Sequence, residues 1–276
     1  MENALNYTRR LMKAGAKARK SLGQNFLIDD EVIAAIVKLS GVAAEIPAVE
    51  IGPGLGVLTR LLAGQTGRLW AVELDQNLLA LLRRELRSAP VEWVQGDALK
   101  LHVRDLWGEQ KGILIGNLPY YITSPLLEHY LQQADHLLSM TIMVQQEVAR
   151  RMVAEPGGKD YGVLSIAVQT AAEPELALAV PRAAFLPSPQ VDSAVVRLRL
   201  RPFPGLSADQ GMFFRLVKAA FGQRRKTVLN SLSAGLGRVK GEVEEMLTQA
   251  GIDGGRRAET ISIAEYIRLT EVERSR

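Results

Sequence analysis

The sequence predicts an α/β fold, a mostly parallel sheet with helices, followed by a small helical domain. Short apolar runs alternate with helical patterns over about the first 200 residues, the pattern of a parallel sheet. Pro202-Phe203-Pro204-Gly205 then interrupts both patterns. Beyond that break, apolar residues recur at helical spacing.

The elements follow in order. Asp29 or Asp30 caps a helix carrying Val32, Ile33, Ile36 and Val37, which Gly41 ends. Val49-Glu50-Ile51 closes a strand and leads through Gly52-Pro53-Gly54-Leu55-Gly56 into a helix with Leu58, Leu61 and Leu62. Leu69-Trp70-Ala71-Val72 is a strand ending at Glu73, and a helical pattern follows. Val91-Glu92-Trp93-Val94-Gln95 ends at Gly96-Asp97-Ala98. Gly112-Ile113-Leu114-Ile115-Gly116 is short, apolar and glycine-bounded, which reads as a buried parallel strand. Helical patterns follow Thr123 and Gln145, and Met140, Met143 and Met152 read as packing residues. Leu176 to Val180 and Val191 to Leu200 read as late strands, an antiparallel pair at the sheet edge. After the break, helices are expected over 213–220, 227–232, 243–250 and 263–272, with a loop at Gly254-Gly255 and no internal repeat. The domains are therefore a basic arm over 1–20, an α/β domain over 21–201 and a helical domain over 206–276.

Chemistry gathers at the strand ends, where open α/β sheets hold their ligands. Asn117-Leu118-Pro119-Tyr120 directly follows the 112–116 strand. The amide oxygen of Asn117 and the carbonyl of Leu118 can both accept from one exocyclic amine. Pro119 fixes the turn that aims them, and Tyr120 offers a face for a base to stack on. Upstream, glycines at alternate positions, Gly52 and Gly54, let the backbone pass close to a ligand. Their spacing is not the Gly-x-Gly-x-x-Gly of dinucleotide-binding proteins. Glu73, about 20 residues further on, can accept both ribose hydroxyls of a nucleoside. Asp97 can accept an adenine amino group. Taken singly, the Asn-Leu-Pro-Tyr block is equally an ordinary strand-to-helix turn, and each acid a solvated strand-end residue. The ordered set describes a nucleoside pocket with an amine-methylation site beside it.

Composition narrows the partners. The 276 residues carry a formal net charge of +4 and no cysteine, which excludes a disulfide scaffold and a thiolate metal site. His102, His129 and His136 lack ligand-like spacing, so no metal is expected. No apolar run approaches the roughly 20 residues of a membrane helix. The first 20 residues hold Arg9, Arg10, Lys13, Lys17, Arg19 and Lys20 without the apolar core of a secretory signal. An amphipathic organelle presequence is the competing reading of that stretch. Arg197, Arg199, Arg201, Arg215, Lys218, Arg224, Arg225, Lys226, Arg238 and Lys240 face a single acid, Asp209, over their span. That imbalance suits phosphate contacts along a folded RNA, against the plainer reading of a solvated surface. Arg150 and Arg151 reach RNA or interact with their own helix terminus.

The motifs resemble those of the S-adenosylmethionine-dependent ribosomal RNA adenine N6,N6-dimethyltransferases (the KsgA type). Matching blocks are Ser21-Leu22-Gly23-Gln24-Asn25-Phe26-Leu27, Glu50 to Gly56, Glu73, Gly96-Asp97-Ala98 and Asn117-Leu118-Pro119-Tyr120. Further along come Val144 to Arg151, Phe185-Leu186-Pro187-Ser188-Pro189 and Phe221 to Thr227. They run in order over nearly the whole chain; residues up to Lys20 and after Gly235 match loosely.

The resemblance implies a Rossmann-like methyltransferase domain with a small helical domain that helps grip RNA. It implies S-adenosyl-L-methionine as cofactor, held by Asn25, Leu27, Gly52, Gly54, Glu73, Asp97, Ala98 and Asn117. Asn117, Leu118, Tyr120 and Phe185 would form the catalytic set, with Phe185 covering the second face of the adenine. Without it, Phe185 reads as a core aromatic beside prolines, and Asn25 and Leu27 as a helix-preceding loop. Arg224, Arg225 and Lys226 would contact RNA. The implied substrate is two adjacent adenines near the 3′ end of small-subunit ribosomal RNA, in an assembling 30S subunit, with a cytoplasmic monomer acting. A large-subunit adenine methyltransferase of the macrolide-resistance type shares the fold and a similar Asn-x-Pro-Tyr block. A ribosome-assembly factor without required catalysis is the non-enzymatic alternative.

Overall fold

The computed structural model describes residues 2–19, 22–204 and 209–276. Lys20, Ser21 and Gly205, which figure in the sequence motifs, lie outside the described residues. The chain forms two compact units, one of residues 1–149 and 173–200, the other of 150–172 and 201–276. The sequence pattern alone places 150–172 in the α/β domain. Packing reassigns them: Tyr161 and Ile166 belong to the apolar core of the helical unit. Gln169 Nε2 donates to the carbonyls of Met152 and Ala154, tying that segment to itself.

In the first unit the strands are β1 (Phe26–Leu27), β2 (Ala48–Ile51), β3 (Leu69–Glu73), β4 (Val91–Gln95), β5 (Gly112–Asn117), β6 (Leu137–Gln145), β7 (Ala172–Val180), β8 (Phe185–Leu186) and β9 (Ser193–Leu200). Seven form one sheet in the order β4-β3-β2-β5-β6-β9-β7. Pairing is parallel from β4 through β6, and β9 runs antiparallel to β6. β2 and β3 are buried along their whole length, as the sequence run of apolar residues requires when both sheet faces are covered. Chain order reverses beside β2, whose neighbours are β3 and β5, and this switch point opens a crevice at the carboxyl ends of the strands.

The helices here are α1 (Ala4–Lys13), α2 (Asp30–Ser40), α3 (Thr59–Leu62), α4 (Gln76–Glu85), α5 (Arg104–Trp107), α6 (Thr123–Leu131) and α7 (Gln146–Met152), the last ending in the second unit. Asp29 caps α2 through the N–H groups of Glu31 and Val32, and Gly41 ends it in the left-handed conformation. The late strands are neighbours at the sheet edge, but β7 starts at Ala172, earlier than its apolar run. Its Pro174 is tolerated because an edge strand has one unpaired side.

The N-terminal stretch is not a free basic arm. Ala4, Tyr7 and Leu11 of α1 are buried in the core, and the Ala4 N–H donates to Asp30. Arg10 pairs with Glu2 and Glu85, and the Arg60 guanidinium lies 4.1 Å from the centre of the Tyr7 ring.

The second unit holds α8 (Val163–Ala171), α9 (Gln210–Phe221), α10 (Val228–Leu236), α11 (Lys240–Gln249) and α12 (Ile263–Arg274). Phe213 and Tyr266 sit at its centre, fully buried, with Leu216, Val217, Leu232 and Met246 around them. Ser262 caps α12 in a capping box with Glu265, whose carboxylate also pairs with Arg256. The Arg256 hydrogen bond, foremost, holds the Glu265 carboxyl down to about 2. Among the described residues, no helix is long and apolar enough to cross a membrane, and no group of three or more His, Cys, Asp or Glu could hold a metal.

Candidate active site

One cleft of the first unit gathers the ends of four parallel strands. Its lining includes Ile51 at the end of β2 with Gly52 and Gly54 after it, Glu73 at the end of β3 with Leu74 after it, Gly96, Asp97 and Ala98 after β4, and Asn117 at the end of β5 with 118–122 after it. Residues 22–25 complete the wall. The space is about 820 Å³, counting its opening to solvent, ample for a nucleoside-sized ligand.

The glycine loop is shaped by crowding. Gly54 has φ +58°, and a Cβ there would lie 3.2 Å from the Phe26 ring. Gly56, at φ +79°, would press its Cβ to 2.8 Å from Leu82 of α4. Only glycine satisfies both the left-handed backbone and the lack of room.

Glu73 closes β3 with its carboxylate accepting the Asp75 N–H at 2.8 Å. Burial pushes its carboxyl up from the ordinary value, while N–H donation from Asp75, Gly54 and Leu74 opposes that. Its neighbour Asp75 caps α4 at the Asn77 N–H and pairs with Arg19 at 3.0 Å. Asp97 spends Oδ1 on the Leu99 N–H at 2.9 Å, while the Ala98 carbonyl accepts from the Tyr130 hydroxyl at 2.8 Å.

Asn117 is anchored by donation from Nδ2 to the carbonyl of Asn25 at 3.2 Å, which leaves Oδ1 as its acceptor. Asn25 in turn donates its own Nδ2 to the Gly23 carbonyl at 3.1 Å. Leu118 is buried and its N–H donates to the Met143 carbonyl at 3.1 Å, fixing the turn against β6. The Tyr120 hydroxyl hydrogen-bonds Ser193 Oγ at 2.7 Å. Burial raises the Tyr120 phenol, the Ser193 contact lowers it and Asp192 raises it.

Nine of the residues singled out by sequence thus line one cleft: Asn25, Gly52, Gly54, Glu73, Asp97, Ala98, Asn117, Leu118 and Tyr120. Leu27 and Phe185 do not. They are register partners in the two-stranded pairing of β1 with β8, 2% and 3% exposed, and join the apolar core behind the wall. As cross-strand partners the two share one face of that pairing, and that face is buried in the core, so the aromatic beside the prolines is here a core residue.

Three features escaped the sequence reading. Glu50 is 1% exposed and accepts the Thr59 hydroxyl at 2.6 Å, bridging the two ends of the glycine loop. Burial raises its carboxyl to about 7 against the Thr59 hydrogen bond, with Glu73 adding to the rise. Tyr121 and Leu74 stand exposed at the rim. Only the unusual sequence position of Glu50, a carboxylate inside an apolar strand, signals the first.

In the second unit, Arg224, Arg225 and Lys226 are exposed beyond α9, and Arg224 donates to the Lys159 carbonyl at 2.9 Å. The basic set is less uniform than its sequence suggests. Arg238 forks onto Glu273 with two bonds of 2.6 Å, and Arg199 of the first unit pairs with Glu175 at 2.9 Å.

Comparison with known proteins places this arrangement. A family model described as ribosomal RNA adenine dimethylase matches residues 15–274. A ribosomal RNA small subunit methyltransferase A of Desulfitobacterium hafniense (strain DSM 10664 / DCB-2) is 60% identical over 271 residues, 98% of each chain. The crystal structure of the 23S rRNA methyltransferase ErmE is 30% identical with a TM-score of 0.70, covering 90% of this chain and 99% of that one. A dimethyladenosine transferase from Plasmodium falciparum, at 22% identity and a TM-score of 0.75, covers 88% of this chain and 95% of its own. That likeness carries the fold, which is the Rossmann-like methyltransferase fold. With the strand-end residues gathered in one cleft and the family match running from residue 15 to 274, the chain belongs to the ribosomal RNA adenine dimethylase family.

Proposed function

We propose that this protein dimethylates N6 of two adjacent adenines near the 3′ end of small-subunit ribosomal RNA, with S-adenosyl-L-methionine as methyl donor. The supporting observation is the orientation of Asn117: Nδ2 is committed to the Asn25 carbonyl, so Oδ1 is free to accept at the end of β5. The small-subunit assignment follows the relative at 60% identity, whose name specifies that subunit.

The cleft fits the cofactor by its donor set. Glu73, a buried carboxylate fixed by backbone N–H groups, suits a ribose diol. Asp97 keeps one oxygen for an adenine amino group, flanked by Ala98. Gly52 and Gly54 let the main chain approach the ligand, and Asn25 faces the same space. When bound, S-adenosyl-L-methionine supplies an electrophilic methyl group on sulfur.

Adenine N6 is a poor nucleophile because its lone pair is delocalised into the ring. Asn117 Oδ1 and the Leu118 carbonyl accept its two hydrogens, favour a pyramidal nitrogen and stabilise the positive charge that develops there. A strong base is not needed, since the proton can leave after transfer. Tyr120 stacks on the base, held by Ser193, and the base must be unpaired or flipped to reach it. Leu27 and Phe185 act from behind the wall by pairing β1 with β8, which fixes the segment carrying Asn25. Arg224, Arg225 and Lys226 contact RNA phosphates. The protein works as a cytoplasmic monomer on an assembling small subunit.

Mass mapping of methylated adenines in ribosomal RNA, from cells with and without this protein, tests the reading. The expected result is loss of an adjacent pair of N6,N6-dimethyladenines from small-subunit RNA. Loss from large-subunit RNA, or from neither, overturns it.

A further inference from the structure

We infer that Tyr121 is the stacking platform for the nucleotide next to the target adenine, so the cleft holds two adjacent bases on two consecutive tyrosines. The inference rests on the proposed adenine-methylating function. Tyr120 and Tyr121 share the short 3₁₀ turn Tyr120–Ile122 that follows Pro119. Side chains one residue apart in such a turn diverge by roughly 120°, so the two rings cannot serve one base from the same side. The Tyr120 hydroxyl is tied inward to Ser193 at 2.7 Å. Tyr121 is 55% exposed, yet lines the same cleft.

Among the described residues the large exposed apolar side chains are Leu74, Tyr121, Leu138, Leu176, Val191 and Val239. Two of them, Tyr121 and Leu74 (50% exposed), stand at the rim of this cleft, and Tyr121 is the aromatic member. A tyrosine ring left to water at the mouth of a base-binding cleft has an unused face. Extracting one base from a strand deprives its neighbour of a stacking partner, and an aromatic ring at the mouth replaces it.

The competing role is structural. A Cβ on Gly23 would lie 3.4 Å from the Tyr121 ring, so the ring rests over the loop that also carries Asn25. Loss of the ring in that case would loosen the loop and weaken cofactor binding.

The test compares Tyr121→Ala and Tyr121→Phe with wild type on small-subunit particles lacking the modification. Reconstituted particles carrying an abasic nucleotide beside the target adenine form a second substrate. S-adenosyl-L-methionine affinity is measured separately by calorimetry. Tyr121→Ala should lower kcat/KM by about tenfold on the normal particle, the scale of one lost base–aromatic stack. Tyr121→Phe should stay within about twofold, because the ring face is retained. On the abasic particle the wild type should fall to the level of Tyr121→Ala, and the variant should lose nothing further. Equal kcat/KM for wild type and Tyr121→Ala on the normal particle overturns the inference while leaving the function intact. Weakened cofactor affinity in Tyr121→Ala, or additive losses on the abasic particle, also overturns it. A folded wild type that transfers no methyl to the particle sinks the proposed function itself, an outcome distinct from these.

Discussion

The side-chain amide of Asn117 donates to the main-chain carbonyl of Asn25 at 3.2 Å, joining residues 92 positions apart. This bond sets which end of the amide faces the cleft. It also couples the end of β5 to the loop before β1, so the catalytic amide and the cofactor-side wall are held together.

Asn117→Ala removes both the acceptor and that coupling. Methyl transfer at saturating cofactor should fall by around two to three orders of magnitude, the usual effect of deleting one preorganised polar group. RNA binding should persist. Single-turnover methylation of unmodified small-subunit particles, with mono- and dimethyladenine resolved, measures it; near-normal dimethylation would sink the mechanism.

Replacing Glu73 tests the ribose contact. Glu73→Ala should weaken S-adenosyl-L-methionine binding by roughly 1–3 kcal/mol, the range for losing hydrogen bonds to a charged group. RNA affinity should hardly change. Unaltered cofactor affinity by calorimetry, in a protein still folded by circular dichroism, removes Glu73 from the site.

At Tyr120 the ring and the hydroxyl have separable roles. Tyr120→Ala should impair transfer through lost stacking. Tyr120→Phe keeps the face but strands the buried Ser193 hydroxyl, so activity should hold while stability drops by about 1 kcal/mol. Equal impairment of the two variants would make the hydroxyl, not the ring, the active part.

Exposed and ion-paired arginines should part company in salt titrations. Changing Arg224, Arg225 and Lys226 to Ala should weaken RNA binding and flatten log K against log salt, because phosphate contacts release counterions. Arg238→Ala should leave that slope alone and destabilise the protein, since its fork is spent on Glu273. An unchanged slope in the triple variant would mean that those side chains do not meet phosphate.

Buried Glu50 gives a pH signature. Its folded-state carboxyl, raised from 4.5 to about 7, retains a proton that the unfolded chain releases at lower pH. The stability it contributes is full below pH 4.5 and is lost as pH rises to about 7. Glu50→Gln keeps an oxygen for the Thr59 hydroxyl and cannot ionise. Its stability relative to wild type should therefore rise by about 3 kcal/mol between pH 4.5 and 8. Denaturant melts across that range decide it; a constant difference would show that Glu50 is not buried as a neutral acid.

Strand–loop order and most of the cleft lining are legible in the amino-acid pattern. Glu73 and Asn117 each end an apolar run and Asp97 follows the 91–95 strand by two residues; parallel strands send their carboxyl ends to one edge, so local pattern sufficed to bring them together. The cap of α2 was equally local, because Asp29, one of the two acids the sequence offers there, bonds N–H groups within three residues. Other assignments depended on partners distant in the chain. Phe185 became a core residue through pairing with Leu27, and the arm around Arg10 became a docked helix through Tyr7 and Glu85. Residues 150–172 joined the helical unit because Tyr161 and Ile166 bury their side chains there. Local patterns fix how a segment is shaped and where its polar ends fall, whereas burial depends on which distant surface is available to cover it. That Tyr120 faces inward while Tyr121, identical in chemistry and adjacent in the chain, stays exposed at the mouth of the cleft is therefore a consequence of long-range packing, with Ser193 of β9 as the distant partner.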